Sequence, residues 1–126
     1  MHTLTGQFQI TDWQETTQSE HDGLKRSLAN VKLDYSGDLT GTSELQYLLS
    51  YQSDGSADFV GFESLQVTIN GDSGSLILRH IGRFVAGVAK SQFEVLQSTI
   101  KDKLIGSTGS FTSGENGQAQ YSIEVS

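Results

Sequence analysis

The chain has 126 residues and a mass of 13.7 kDa, the size of one domain (1–126) with enough surface to bury for a core of its own. A formal charge of −7 argues against nucleic acid and anionic membrane surfaces as partners, since both draw affinity from Lys and Arg. The lack of cysteine excludes disulfides and thiolate metal sites, and fourteen glycines without a single proline suit tight turns between strands better than a disordered linker.

Met1 to Gly6 lacks the basic segment and continuous apolar core of a signal peptide, and no apolar run reaches membrane-spanning length, so a cytoplasmic location is expected. From Leu4 to Asp12 the apolar set Leu4, Gly6, Phe8 and Ile10 alternates with polar neighbours, which predicts a first strand closed by Trp13. Gln14 to Gly23 is polar and without period, and reads as a loop. Ala29, Val31, Leu33 and Tyr35 mark a second strand that ends at Ser36-Gly37-Asp38. A third, from about Gly41 to Tyr51, places Leu45, Tyr47, Leu49 and Tyr51 on one face. Ser53-Asp54-Gly55 then reads as a three-residue hairpin loop with Gly55 left-handed, which puts Tyr47 and Tyr51 on the same face as Phe59 and Glu63.

The stretch from Phe59 to Phe84 reads as one long hairpin. Its inward set is Phe59, Gly61, Glu63, Leu65, Val67 and Ile69 on the way out, and Leu76, Leu78, His80, Gly82 and Phe84 on the return. A carboxyl and an imidazole thus interrupt two otherwise apolar faces. If Asn70 faces Ser73, Glu63 lies directly opposite His80 and Gly61 opposite Gly82. A two-residue Asn70-Gly71 turn instead moves His80 to the diagonal. The first register, which matches like with like, is the expectation.

After an Ala86-Gly87 turn, Ala89, Ser91, Phe93 and Val95 share a face, with Phe93 across from His80. Thr99-Ile100-Lys101-Asp102 carries a weak capping-box signal for one helical turn. Ser107, Gly109 and Phe111 suggest a short strand, and Ala119, Tyr121, Ile123 and Val125 a last one. The sum is an all-β chain of eight antiparallel strands, mostly up-and-down. Closing such a sheet into a barrel removes its edges and leaves room for packed side chains or one small ligand.

Four blocks also carry a resemblance: Ser36 to Gly41, Phe59-Val60-Gly61-Phe62-Glu63, Gly74 to Phe84, and Gly106 to Gly109. They resemble a family of short bacterial proteins known only as a domain of unknown function, and the likeness covers nearly the whole chain. It implies a barrel similar to allene oxide cyclase and the dirigent proteins, often assembled into oligomers, and it implies no activity. Gln97 to Lys103 departs from the family's glycine-rich run.

Among possible sites, Gly71-Asp72-Ser73-Gly74 resembles the surroundings of a chymotrypsin-like serine nucleophile, but the chain is too short for the double barrel of those enzymes and the segment reads as a turn. Lys90-Ser91 lacks the glycine that a phosphate loop requires. His2, His21 and His80 have no paired spacing, so no metal and no cofactor are expected. The candidates are therefore Glu63 and His80, either as a self-satisfying buried pair or as a ligand clamp or acid–base couple. Tyr47 is expected nearby, and Trp13, Tyr51, Phe59, Phe84 and Phe93 as the lining or core around them. Val60, Phe62, Ile77, Ile81 and Val85 point outward, with Phe62 beside Ile81, which predicts a homo-oligomer packed through this face. Three functions remain open: a binder of a small, largely apolar molecule, a cofactor-free isomerase or cyclase, and a structural oligomer with a filled core.

Overall fold

Period-two alternation requires one buried face per strand, and the chain satisfies all of them against each other. The computed structural model describes residues 2–100 and 104–125. These form β1 (His2–His21), β2 (Leu24–Gly37), β3 (Leu39–Tyr51), β4 (Ala57–Ile69), β5 (Asp72–Val85), β6 (Val88–Ser98), β7 (Thr108–Ser113) and β8 (Gln118–Val125). Each strand pairs antiparallel with the next, and β8 returns to β1 from His2↔Val125 to Gln9↔Gln118, closing the barrel.

Three of the hairpins are two-residue turns with both residues at positive φ: Asp22-Gly23, Asn70-Gly71 and Ala86-Gly87. This is the type I′ geometry, whose twist matches that of the strands. At Asn70-Gly71 it overturns the expected register. Ile69 pairs with Asp72, so Gly61 lies opposite His80, Glu63 opposite Leu78, and Phe59 opposite Gly82. The physical reason lies partly in the turn and partly in the core, where rings meet glycines instead of like meeting like. Tyr47 pairs with Gly61, Phe59 with Gly82 and Phe93 with Gly109. A Cβ added to Gly61 would sit 2.9 Å from Tyr47 Cδ1, and one added to Gly82 or Gly109 would sit 2.5 Å from Cζ of Phe59 or Phe93. Each ring thus lies flat over the missing side chain of the neighbouring strand, which is how a narrow barrel accommodates several aromatics.

The expected loop at Gln14 to Gly23 is instead the far half of a long β1–β2 hairpin, paired down to His21↔Leu24. A bulge between Ile10 and Asp12 explains why the alternation is lost there. The extra residue, Thr11, shifts the inward set from even positions (Phe8, Ile10) to odd ones (Trp13, Glu15), and a sequence read with one fixed period stops at the break. Beyond the barrel wall the hairpin is solvated on both sides, so it carries little apolar pattern to find.

The loop after β3 matches expectation. Gly55 has φ 88°, its N–H donates to Gln52 O at 3.0 Å, and Gln52 N–H donates to Ser56 O at 2.8 Å. The helical turn expected at 99–102 falls partly on residues 101–103, outside the described residues. Thr99 forms a bend held to β5, its N–H donating to Ser75 O at 2.9 Å and its hydroxyl accepting from Ser75 N–H at 2.8 Å.

The barrel's two ends differ. At the end carrying the β2–β3 and β4–β5 turns, Leu4, Leu39, Ile69, Leu76, Leu104 and Val125 are buried. There the Tyr121 hydroxyl accepts from Leu39 N–H and donates to Ser36 O, both at 2.9 Å, tying the β2–β3 turn to β8. The other end, beneath the β1–β2 extension, is the open one.

Candidate functional site

Two features occupy the interior: a cavity toward the open end, and a layer of polar side chains deeper in. The cavity measures about 240 Å³, larger than the ~150 Å³ void that admits benzene in an engineered core. Its walls are supplied by Phe8, Leu33, Leu45, Leu49, Phe84 and Phe111 with Trp13, Tyr47, Tyr51 and Phe59, and Glu15 is the charged residue on its lining. Of the residues singled out from the sequence, Trp13, Tyr47, Tyr51, Phe59 and Phe84 are therefore wall residues, whereas Glu63, His80 and Phe93 are not.

Glu63 and His80 lie one layer below. Their exposures are 0% and 1%, so each needs partners within the protein. The His80 Nε2 meets Glu63 Oε1 at 2.6 Å, although the residues sit on a cross-strand diagonal. Glu63 Oε2 accepts from the Tyr35 hydroxyl at 2.5 Å and from Ser43 Oγ at 2.6 Å. On the far side of the imidazole, Nδ1 lies 3.0 Å from Ser91 Oγ. Ser91 also reaches the carbonyls of Gln92 at 3.3 Å and Ile81 at 3.5 Å, so its hydroxyl matches either state of Nδ1. It can donate to a bare nitrogen, or accept from an N–H while donating to a carbonyl.

These five residues come from β2, β3, β4, β5 and β6 in turn, and each step is a diagonal in the same sense. Tyr35 pairs with Gly41, two residues before Ser43; Ser43 pairs with Leu65, two after Glu63; and the pattern continues through Leu78 and Phe93. Strands tilt in a closed barrel, so such a diagonal marks one level across its axis. Alternation along the strands marks out Glu63 and His80 but not Tyr35, Ser43 and Ser91 as their partners. The missing signal is the tilt, which alternation along a single strand does not contain.

Tyr47, expected near the pair, meets it through its ring. Its ring centroid lies 4.7 Å from that of Phe59 and 6.1 Å from that of His80. Phe111, 5.7 Å from the His80 ring, and Phe93, at 5.1 Å, complete that packing. Since Tyr47 and Phe111 also line the cavity, their rings form its floor above the imidazole. Burial, followed by the neighbouring Glu63 charge, pushes the Tyr35 and Tyr47 phenols well above their ordinary range, so both stay protonated.

The mouth has its own polar centre, which alternation does not reveal because Glu15 falls in the stretch Gln14 to Gly23, expected as a loop. Glu15 Oε2 accepts from the Tyr51 hydroxyl at 2.8 Å and Oε1 from Trp13 Nε1 at 3.0 Å. Lys25 Nζ stands 4.4 Å from the Tyr51 ring centroid. Partial burial works to raise the Glu15 pKa, but the hydrogen bonds from Tyr51 and Trp13, the nearby Ser27 hydroxyl and the Lys25 charge together outweigh it and hold the carboxyl below its ordinary value. Burial and the same contact with Glu15 push Tyr51 up to about 12.

On the outside, Leu48, Val60 and Ile81 pair in a row across β3, β4 and β5. Phe62 and Ile81 are 60% and 61% exposed. The shifted register places Arg79 rather than Ile81 opposite Phe62, so those two are diagonal neighbours in the patch. Among the described residues no cluster of three or more His, Asp or Glu side chains is placed to hold a metal ion, and no helix is long and apolar enough to cross a membrane.

Solved structures with a similar fold include the following two. A protein of unknown function from the DUF3224 family of Shewanella oneidensis MR-1 is 26% identical, with a TM-score of 0.71 over 98% of this chain and 94% of that one. An enzyme from Penicillium herquei shares the fold at 15% identity, with a TM-score of 0.67 over 98% and 92%. A search of curated proteins found no match. Residues 4–125 match the model of the DUF3224 family, proteins of unknown function, and the chain belongs to that family.

Proposed function

We propose that this protein is a binding module whose barrel takes up a small, largely apolar molecule through its open end. The observation that carries the reading is the cavity of about 240 Å³ walled by Tyr47, Phe59, Phe84 and other apolar side chains. A space of that size and lining in a core otherwise closely packed is the ordinary setting for a ligand of roughly ten heavy atoms. Native mass spectrometry of the purified protein tests it: a retained small molecule, or saturable one-to-one uptake of an added one such as indole, is expected. Failure to hold any apolar compound of this size at millimolar concentration overturns the reading and leaves a structural barrel.

A second reading, cofactor-free acid–base chemistry by Glu63 and His80, is favoured by one observation: the pair is fully buried and lies just under the cavity floor. It requires the Tyr47 or Phe111 ring to move aside so that a substrate reaches the imidazole. Glu63→Gln separates the two readings, since lost turnover of an identified ligand with retained binding supports catalysis and unchanged behaviour removes it.

The outer face around Val60, Phe62 and Ile81 packs, in this reading, against a second copy. Its border charges are already neutralised by the ion pairs Arg79–Glu94 at 2.9 Å and Arg83–Asp58 at 2.7 Å, so two copies meet through apolar surface without adding their net negative charges at the contact.

A further inference from the structure

The cavity's walls say little about what its ligand carries, but its mouth is specific. We infer that the ligand is an apolar amine, its hydrocarbon body in the cavity and its ammonium group at Glu15 between Trp13 and Tyr51. This rests on the binding reading above and adds the chemistry of the head group.

Three observations support it. Glu15 is the charged group on the cavity lining, and its two oxygens are oriented by Tyr51 and Trp13, each of which leaves the oxygen it contacts free to accept again. The carboxyl is held ionised by those bonds and by Lys25, so it presents a fixed negative charge beside an apolar chamber. Trp13 and Tyr51 meet the carboxylate through their N–H and O–H edges, and the Trp13 and Tyr47 ring centroids lie 6.3 Å apart beside it on the cavity wall. A carboxylate at the rim of an aromatic-walled chamber stabilises an ammonium through charge-assisted hydrogen bonds, with the ring faces of the wall adding to this where the cation lies over them. The protein already makes one such contact itself, since the Lys25 ammonium rests on the Tyr51 ring. A neutral alcohol gains only part of this, and a carboxylic acid is repelled by Glu15.

The matched probes are 3-phenylpropylammonium, 3-phenylpropanol and 3-phenylpropionate, titrated at pH 7.5 and constant ionic strength. Binding is read from the emission of Trp13, the single tryptophan of the chain, and checked by calorimetry. The expected order is amine at least about tenfold tighter than alcohol, with the acid weakest. Glu15→Gln should erase the preference for the amine over the alcohol, and an unchanged far-ultraviolet circular dichroism spectrum shows that the variant is folded. An amine no tighter than the alcohol, or a preference that survives Glu15→Gln, overturns the inference and leaves the binding reading standing. Failure of all three probes to bind overturns both.

Discussion

The carboxyl of Glu63 and the imidazole of His80 meet at 2.6 Å across a diagonal, not face to face, because Glu63 pairs with Leu78 and His80 with Gly61. That offset lets Tyr35 and Ser43 take the other carboxyl oxygen and Ser91 the other ring nitrogen. Removing one member of such a dry network leaves the rest unpaired. Glu63→Ala should therefore lower the free energy of unfolding by about 3–5 kcal/mol, and His80→Ala by a similar amount. Urea denaturation should also show the double variant costing clearly less than the sum, since the second deletion removes a partner already stranded. Additive losses would mean that the two groups do not depend on each other.

Gly61 is fixed by the Tyr47 ring that lies on it. Gly61→Ala should destabilise by about 1–3 kcal/mol through overpacking. The same change in a Tyr47→Leu background should cost less, because the flat ring is gone. Thermal unfolding of the four proteins checks this, and an equal cost in both backgrounds would place the strain in the backbone instead.

Ala86 holds φ 54° in its turn, a conformation that costs an L-residue with a Cβ roughly 1–2 kcal/mol. Ala86→Asn, the residue that Asn70 supplies in the equivalent turn, should stabilise the fold by about 1 kcal/mol without altering the cavity. A fall in unfolding midpoint would contradict the turn assignment.

The mouth should respond to pH at two limits. Glu15 has a folded pKa below its ordinary 4.5, so its contribution is complete above that value and lost as the pH falls through the lower folded value. Tyr51 moves the other way: raised from 10.0 to about 12, it contributes fully below 10 and loses that contribution as the pH rises through about 12. Trp13 emission should be level between those limits and change beyond each, with the acid step absent in Glu15→Gln. A step near neutrality would point to a different group.

Much of this architecture is legible in the sequence, because eight alternating segments with turn residues between them have few ways to bury their inward faces. The register between β4 and β5 does not follow from matching like with like. Asn70-Gly71 closes as a two-residue turn, and the glycines at 61 and 82 exist to admit the rings of Tyr47 and Phe59. Glu63 and His80 stand out as polar residues on apolar faces, whereas Glu15 does not, because the Thr11 bulge reverses which positions point inward. Nor does a single strand reveal that Tyr35, Ser43 and Ser91 share a level with the pair. That follows from the tilt, which exists only once the sheet has closed.

The outer apolar row gives a prediction of its own. Sedimentation of the wild type at micromolar concentration should show an oligomer, and Phe62→Lys with Ile81→Lys should convert it to a folded monomer by placing like charges at the centre of the contact. A monomeric wild type would contradict the proposed packing.

The most direct test of the central claim is a crystal structure of the protein grown with saturating 3-phenylpropanol. The account predicts electron density for the phenyl ring inside the barrel, in contact with Tyr47, Phe59 and Phe84, with Glu63 and His80 still bonded to each other beneath it. An interior left without the compound, or filled by the protein's own side chains, would contradict it.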